Sequence, residues 1–253
     1  MPRYKNHSAR VAPAPQPLPN DVQQAIDIIM RGNPPLALFT TMARDRRLFF
    51  KFFNSGLLDR GHLTIRQREI VIDRVTATCG AEYEWGVHVS AFAAKAGLTE
   101  DQITSLTTGA PEDACWDDAD RVLIRLCDSL HRTCTIDDDL WAQLSAYHSD
   151  EAILELLMLA GTYRMVSYLV NSLRLPLGKR GPHFSCRVIL IRWAAMTTTS
   201  WSFLEEPDEL PWRTKDLPRS NSRRTVWGRS ARRRNSDTAT SRRTFVQPAT
   251  ALR

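Results

Sequence analysis

The chain has 253 residues, of which 43% are hydrophobic and 25% are charged, as is ordinary for a globular protein. This length provides for one full domain with an extension, or for two small domains. No apolar run approaches the roughly 18 residues that a membrane span requires, and no apolar segment of a secretory signal follows the N-terminus. We therefore expect a cytoplasmic protein with no membrane partner.

The cysteines exclude several classes of protein. There are five of them, and none is part of a C-x-x-C pair: Cys79, Cys115, Cys127, Cys134 and Cys186. Zinc ribbons, thioredoxin-type redox motifs and disulfide scaffolds need regular cysteine spacings that this chain lacks. A reduced intracellular compartment fits this pattern.

The net charge of +6 hides two different regions. Residues 1–178 contain 18 Lys and Arg against 22 Asp and Glu, whereas residues 179–253 contain 16 against 6. A nucleic-acid partner could therefore concern only the second region. We do not favour one, because the body is acidic and no recognition-helix motif is present. Residues 179–253 are rich in Arg and Ser, and we predict either disorder or an extension derived from a shifted reading frame or a retained intron.

The predicted elements begin after an arm. Residues 1–19 contain five prolines and few apolar groups, which predicts a disordered, extended segment. Asn20 is suited to cap a first helix, which ends at the Gly32–Pro35 turn. Residues 36–58 predict one or two helices rich in Leu and Phe, with a break near Asp45.

Two capping boxes mark the helices that follow. Thr64 with Gln67, and Thr99 with Gln102, have the spacing at which each side chain satisfies a free backbone N–H of the other residue. Helices are predicted over residues 65–79 and 82–96, joined at Gly80, and a short one follows Thr99. Gly97 is placed to end the second of these helices.

Three more helices complete the domain. Asp117 can cap one, residues 135–146 form a short one, and a long apolar helix runs from Asp150 to Leu173. No alternating pattern of period two occurs before residue 178. We predict an all-α, compact helical bundle over residues 20–178.

One pair of residues has the spacing that acid–base chemistry uses. Glu84 and His88 are four residues apart, so they share one face of a helix, where a carboxylate can orient an imidazole and raise its pKa. Glu69 would reach the same point if its helix packs antiparallel to theirs. The alternative is an ordinary solvated pair contributing about 0.2–0.5 kcal/mol, which on spacing alone is the commoner case. Tyr83 and Trp85 either line a dry pocket or belong to the core.

Residues 63–177 resemble the carboxymuconolactone decarboxylase family, within the alkylhydroperoxidase-D-like superfamily. The similarity rests on ordered segments at normal spacing: RQREI at 66–70, EYEWGVH at 82–88, then residues 96–103, 116–121 and 161–165, and Asn171. The resemblance implies a compact helical bundle that assembles into trimers or larger homo-oligomers. It implies either decarboxylation of 4-carboxymuconolactone or peroxide reduction.

The peroxidase branch of this superfamily uses a glutamate, a C-x-x-C pair and a histidine. Glu69 and His88 occupy matching positions, but Ala81 and Glu84 stand where the two cysteines would be. Disulfide-based peroxide reduction therefore lacks its thiols. The decarboxylase branch also has a glutamate four residues before its histidine, and this favours acid–base chemistry.

The sequence thus predicts a cofactor-free enzyme acting on a small lactone or other carboxylated compound. His88 is the predicted acid and base, Glu84 its orienting partner and Glu69 a second proton-handling group. The predicted substrate-binding residues are Tyr83, Trp85 and Arg68, although Arg68 is equally suited to an exposed helix position. The alternatives are an antioxidant protein using Cys79 and a non-catalytic oligomeric binding protein. No metal is predicted, because the second histidine of an H-E-x-x-H motif is missing.

Overall fold

A computed structural model describes residues 8–55 and 57–177, and in these residues the chain forms helices and no strand. The helices are α1 (Asn20–Met30), α2 (Ala37–Met42), α3 (Arg46–Phe53), α4 (Ile65–Thr78), α5 (Glu82–Phe92), α6 (Glu100–Thr108), α7 (Asp118–Thr133), α8 (Asp138–Tyr147) and α9 (Asp150–Leu173). The all-α prediction is therefore confirmed. The basic region beyond residue 178 lies outside the described residues.

Helix α4 is the centre of the bundle. It packs against α5, α6, α7 and α9, and every residue from 68 to 77 is buried. A helix buried all round is normally apolar throughout. Four of these ten residues are charged instead: Arg68, Glu69, Asp73 and Arg74. The fold thus places unusual charge density inside its core.

The predicted start signals form as expected. Thr64 with Gln67 and Thr99 with Gln102 make complete capping boxes, and the Asp45 side chain accepts from the Leu48 N–H at the start of α3. These bonds satisfy donors that the first turn of a helix leaves unpaired. The sequence therefore fixes these helix starts locally.

Other predicted boundaries shift. Pro19, and not Asn20, is the residue before the first helical position, and no side-chain bond caps α1. Helix α5 ends at Phe92 and not at residue 96. The helix predicted from residue 135 begins at Asp138, because the Asp137 side chain accepts from Leu140 N and caps it there.

The N-terminal arm is extended over residues 8–19, but it lies on the domain. The Arg10 N–H donates to Leu173 O at 2.9 Å, and the Ala14 N–H donates to Thr40 O at 2.8 Å. Ala14 and Leu18 are buried. The predicted disorder is therefore wrong for this stretch, because its backbone donors find acceptors on α2 and α9 and these two apolar side chains are buried. Residues 1–7 lie outside the described residues.

Helix α9 is long and apolar enough, by those two criteria alone, to cross a membrane. Among the described residues it is the only helix with this property. One such helix is weak evidence, because the core helix of a soluble protein passes the same test. One side of α9 packs on α4 and α5, and the buried residues include Leu156, Leu159 and Tyr163.

A tight turn sets α5 against α4. Gly80 has a φ of 64°, in the left-handed region where glycine has no Cβ penalty, and the Ala81 N–H donates back to Thr76 O at 2.8 Å. The Asn171 amide of α9 donates to Cys79 O at 2.9 Å and satisfies the end of α4. This junction brings the middle of α5 beside the middle of α4.

Candidate active site

His88 lies between two carboxylates in the interior of the bundle. Its Nδ1 is 2.9 Å from Glu69 Oε2 across the α4–α5 contact, and its Nε2 is 3.6 Å from Glu84 Oε1 on its own helix. The exposed fractions are 0% for Glu69, 3% for His88 and 7% for Glu84. The three residues that the sequence predicts as catalytic therefore meet at one buried point.

The ionisation of His88 depends on this contact. Burial by itself lowers the pKa of His88. The negative charge and hydrogen bond of Glu69 outweigh this effect, Glu84 acts in the same direction, and together they raise the pKa of His88 to about 10. His88 is then an imidazolium at neutral pH. Its resting state is that of a proton donor and not of a base.

Arg68 belongs to the same buried group. It is 3% exposed, its Nε lies 3.7 Å from Glu69 Oε1, and its Nη1 donates to Leu58 O at 3.4 Å. The alternative that Arg68 is an exposed helix residue is therefore wrong, because α4 is covered on every side. Glu69 lies between two cationic groups.

Aromatic rings enclose the imidazole. The Phe92 ring stacks on it with centroids 5.3 Å apart, and the Tyr163 ring of α9 meets it edge-on at 4.9 Å. Burial, then the charges of Glu84 and Glu69, raise the pKa of Tyr163, so its hydroxyl stays a neutral donor. Neither ring is among the predicted site residues.

The two aromatic residues predicted to bind substrate, Tyr83 and Trp85, do not contribute ring contacts to His88 and instead pack in the core of the bundle. The Tyr83 hydroxyl accepts from the Leu38 N–H at 3.4 Å and so faces the start of α2. Trp85 is 3% exposed and belongs to the main apolar core. For both residues the structure supports the core interpretation better than the pocket interpretation.

Asp73 is a buried residue beside the site that is not among the predicted site residues. It follows Glu69 by one turn of α4, is 1% exposed, and both of its carboxyl oxygens lack a hydrogen-bond partner among the described residues. Glu69 Oε1 and Glu84 Oε2 also have no hydrogen-bond partner there. The sequence offered one indication of this position, because Asp73 interrupts the largely apolar segment IVIDRV at residues 70–75. Together these residues form the His88 cluster: Arg68, Glu69, Asp73, Glu84 and His88.

No set of three or more His, Cys, Asp or Glu side chains in residues 8–55 and 57–177 is arranged to hold a metal ion. Two cavities lie away from the His88 cluster. One of about 430 Å³ includes Arg121 and Arg125 in its lining. The other, of about 180 Å³, is lined by residues that include His131 and Arg164.

Cys79 is the thiol closest in sequence to the motif. It is half-buried, and its Sγ is 3.9 Å from His131 Nδ1 and so turned toward α7. Burial raises the pKa of this thiol, and the positive charge of Arg164 offsets part of the effect. Since the thiolate is the reactive form, Cys79 is a weak nucleophile.

Solved structures define the class of fold. An uncharacterized peroxidase-related protein from Silicibacter sp. TM1040 superposes with a TM-score of 0.60 at 18% identity, covering 73% of this chain and 99% of that one. The alkylhydroperoxidase AhpD core of a peroxidase-related protein from Ralstonia eutropha JMP134 gives 0.56 at 16% identity, over 68% and 95%. A variant of the debrominase Bmp8 in complex with 2,3,4-tribromopyrrole gives 0.59 at 12% identity, over 69% and 95%. At these identities the likeness concerns the fold, which is of the alkylhydroperoxidase-D-like type.

Part of the sequence matches the model of a known family. Residues 46–124 match the carboxymuconolactone decarboxylase family, and this segment contains α3 to α6 with Glu69, Glu84 and His88. Over these residues the chain is similar to this family, and its described residues have the alkylhydroperoxidase-D-like fold. A comparison with curated proteins gave no match.

Proposed function

We propose that the protein is an enzyme that performs cofactor-free acid–base chemistry, decarboxylation or a related reaction, on a small lactone or carboxylated compound. The observation that carries this proposal is the 2.9 Å contact between Glu69 Oε2 and His88 Nδ1 in a site shielded from bulk water. Hydrogen bonds between charged groups are strong in such surroundings. Perturbed titratable groups that converge in this way are typical of functional sites.

The distances favour an exchange of the two glutamate roles that the sequence predicts. Glu69 makes the short bond to Nδ1 and is therefore the better candidate for orienting the ring. Glu84 lies at 3.6 Å from Nε2, beyond a normal hydrogen bond, and its Oε2 has no hydrogen-bond partner among the described residues. In this proposal Nε2–H is the group that turns from Glu84 to the substrate.

The proposed step balances with the residues present. When a carboxylate next to a conjugated lactone leaves as CO2, its bonding electron pair stays on the carbon framework and delocalises onto the lactone oxygen. The imidazolium Nε2–H donates a hydrogen bond to that oxygen and then transfers its proton to carbon. His88 is left as neutral imidazole and regains a proton from the cluster or from water.

The antioxidant alternative has less support. Ala81 and Glu84 replace the two motif cysteines, and the Cys79 thiol is turned toward His131 with a raised pKa. A peroxidase needs an accessible thiolate and a resolving thiol. We therefore keep acid–base chemistry as the proposed function.

The test is turnover of a panel of lactones and small carboxylated compounds by the full chain. His88→Gln is expected to lower kcat/KM by about 10²–10⁴-fold, because it removes the proton donor. His62→Gln, at an exposed histidine, is the matched control and should keep full activity. Circular dichroism checks that both variants fold.

Two outcomes would contradict the proposal. If His88→Gln turns over a substrate as fast as the unchanged chain, then His88 is not the proton donor. If no compound is turned over while some bind with micromolar affinity, the protein is the non-catalytic binding protein of the alternative. Loss of turnover on blocking Cys79 by alkylation would instead support the antioxidant alternative.

We also propose that the chain forms a homo-oligomer through α9. Four large apolar side chains of this helix are exposed, Leu154 and Met158 to 62% each, Tyr168 to 58% and Met165 to 39%. With Gly161 they recur at alternating spacings of four and three residues, which is the seam of a helix that packs on another helix. A face of this kind on a soluble domain marks an interaction surface.

Met158→Glu is expected to shift the protein toward monomer, because it places a charge in the middle of this seam. Sedimentation velocity of the full chain measures the change. Thr104→Glu, at an exposed position of α6, adds the same charge away from the seam and should leave the oligomer intact. A monomeric unchanged chain, or equal effects of both variants, would refute an α9 interface.

A further inference from the structure

The candidate active site is closed to solvent. Glu69, Glu84 and His88 are all buried, and none of them lines either of the two cavities described above. A substrate of the proposed function therefore reaches His88 only when an element that covers the site moves away. The element that moves at least cost is one that keeps its own packing when it separates from its neighbours.

Helices α1, α2 and α3 form a layer with a small apolar core of its own. Helix α3 packs against both α1 and α2, and the Phe53 ring lies 5.6 Å from that of Phe39 and 4.9 Å from that of Phe49. Four large apolar side chains of this layer are buried without being part of the main core around α4: Val22, Ile26, Phe49 and Phe53. Residues 8–53, here named the N-terminal cover, can therefore stay packed when they part from α4–α9.

Modest interactions hold the cover to the rest of the bundle. Leu38 of α2 packs in the main core, and its N–H donates to the Tyr83 hydroxyl at 3.4 Å, which is long for a hydrogen bond. At the end of α9, Leu173 O accepts from the Arg10 N–H at 2.9 Å and Ser172 O accepts from the Arg10 guanidinium at 3.2 Å. None of the closely packed helix pairs of the described residues joins α1–α3 to α4–α9.

The contact with α2 lies beside the site. Burial, and next the negative charge of Glu84, raise the pKa of the Tyr83 hydroxyl, so the Glu84 carboxylate is near this hydroxyl and the start of α2. Glu84 Oε1 is also 3.6 Å from Nε2 of His88. The side of the imidazole that the proposed function turns to the substrate therefore faces the part of α5 that α2 covers.

We propose that the N-terminal cover moves away from α5 as one unit and admits the substrate to the Glu84 side of His88. The route rests on the proposed function, whereas the movement itself can be measured without any substrate. The open form is a minor state, because closure buries Leu38 again and restores its hydrogen bond to Tyr83. Closure also shields the ion pairs of the His88 cluster from water during the reaction.

Oxidation of a methionine introduced at position 38 measures the movement in the full chain. Leu38→Met conserves volume, and hydrogen peroxide converts an exposed thioether to its sulfoxide, which peptide mass spectrometry locates. Leu123→Met is the matched control, because Leu123 is also 1% exposed in the main core but lies on α7. The thioether of Leu38→Met should be oxidised at least about 10-fold faster than that of Leu123→Met. Equal rates overturn the proposal.

Loss of the bond between α2 and α5 should make the cover open more often. Tyr83→Phe, combined with Leu38→Met, deletes the acceptor of the Leu38 N–H and should raise the oxidation rate about 2- to 5-fold. Tyr147→Phe, at a half-exposed tyrosine of α8, is the control and should leave the rate unchanged. Equal rates in these two combinations would mean that α2 does not lift from Tyr83, which refutes the proposal.

Hydrogen exchange distinguishes movement as a unit from unfolding. The amides of α1 and α3 should stay protected over the times at which the thioether of Leu38→Met is oxidised, because the cover keeps its own core. If these amides exchange as fast as the thioether is oxidised, the cover unfolds and the proposal fails. If Leu38→Met does not fold, alkylation of Leu38→Cys against Leu123→Cys gives the same comparison.

The results for access and for chemistry remain distinguishable. Turnover of a substrate together with equal oxidation of Leu38→Met and Leu123→Met would mean that the substrate enters by another route. That result overturns the cover and leaves the proposed function intact. Fast oxidation of Leu38→Met without turnover of any compound would contradict the proposed function, while the movement of the cover would be confirmed.

Discussion

Replacing Glu69 by glutamine is expected to lower the free energy of unfolding by about 3 kcal/mol. Removing one partner of a buried ion pair costs about 3–5 kcal/mol, and Glu69 faces both Arg68 and His88 at 0% exposure. The lower end of the range applies because His88 can release its proton, whereas the Arg68 guanidinium cannot. Urea denaturation at pH 7 measures the loss.

The same variant should alter the dependence of stability on pH. The pKa of His88 is raised from 6.5 to about 10 in the folded state, so its contribution is fully present below pH 6.5 and is lost as pH rises through about 10. The unchanged chain should therefore become less stable over that window. In Glu69→Gln the decline should be smaller, because the main anionic partner is gone.

A matched control separates this effect from a general loss of acidic charge. Glu100→Gln changes an exposed residue in the first turn of α6 and should cost less than about 1 kcal/mol. Equal losses in the two variants would mean that the Glu69–His88 contact does not stabilise the fold. A pKa of His88 that is the same in Glu69→Gln, measured by NMR, would lead to the same conclusion.

Replacing Arg74 by methionine is expected to cost about 3–5 kcal/mol. Its guanidinium binds Asp128 through two bonds of 2.7 and 2.8 Å. Its Nη1 also donates to the carbonyls that end α6, those of Ser105, Leu106 and Gly109. Methionine fills similar space but leaves Asp128 and three carbonyls without this donor.

Arg125 provides the same substitution in a solvated setting. It forms an ion pair with Glu112 at 3.3 Å, with both side chains well exposed, and such pairs contribute about 0.2–1 kcal/mol. Thermal or urea unfolding of Arg74→Met and Arg125→Met should therefore differ severalfold in cost. If Arg74→Met is as mild as Arg125→Met, the link between α4, α6 and α7 contributes little to stability.

The predicted catalytic group shows how far local patterns reach. Glu84 and His88 share a helix, so their spacing alone predicts that they are neighbours. Glu69 lies 19 residues before His88, and its approach depended on the helices folding back at Gly80, which the sequence could offer only as a hypothesis. The short bond belongs to Glu69, so the closest partner is not the one that sequence spacing suggests.

Burial is the property that the sequence could not assign. Arg68 and Asp73 are charged, and charged side chains are rarely buried unless they are paired. Nothing local distinguishes them from solvated residues of an amphipathic helix. Only the packing of α5, α6, α7 and α9 around α4 places both in the interior.

The sequence by itself determined the helices, several of their capped starts and the similarity of residues 46–124 to a known family. These follow from interactions between residues a few positions apart, such as the bonds of Thr64 with Gln67, and from ordered motifs. The tertiary structure alone decided that α4 is covered on every side, that Glu69 bonds Nδ1 of His88, and that Asp73 has no hydrogen-bonding partner among residues 8–55 and 57–177. Desolvation and electrostatic coupling act between residues that are distant along the chain, and therefore only the folded arrangement sets their strength.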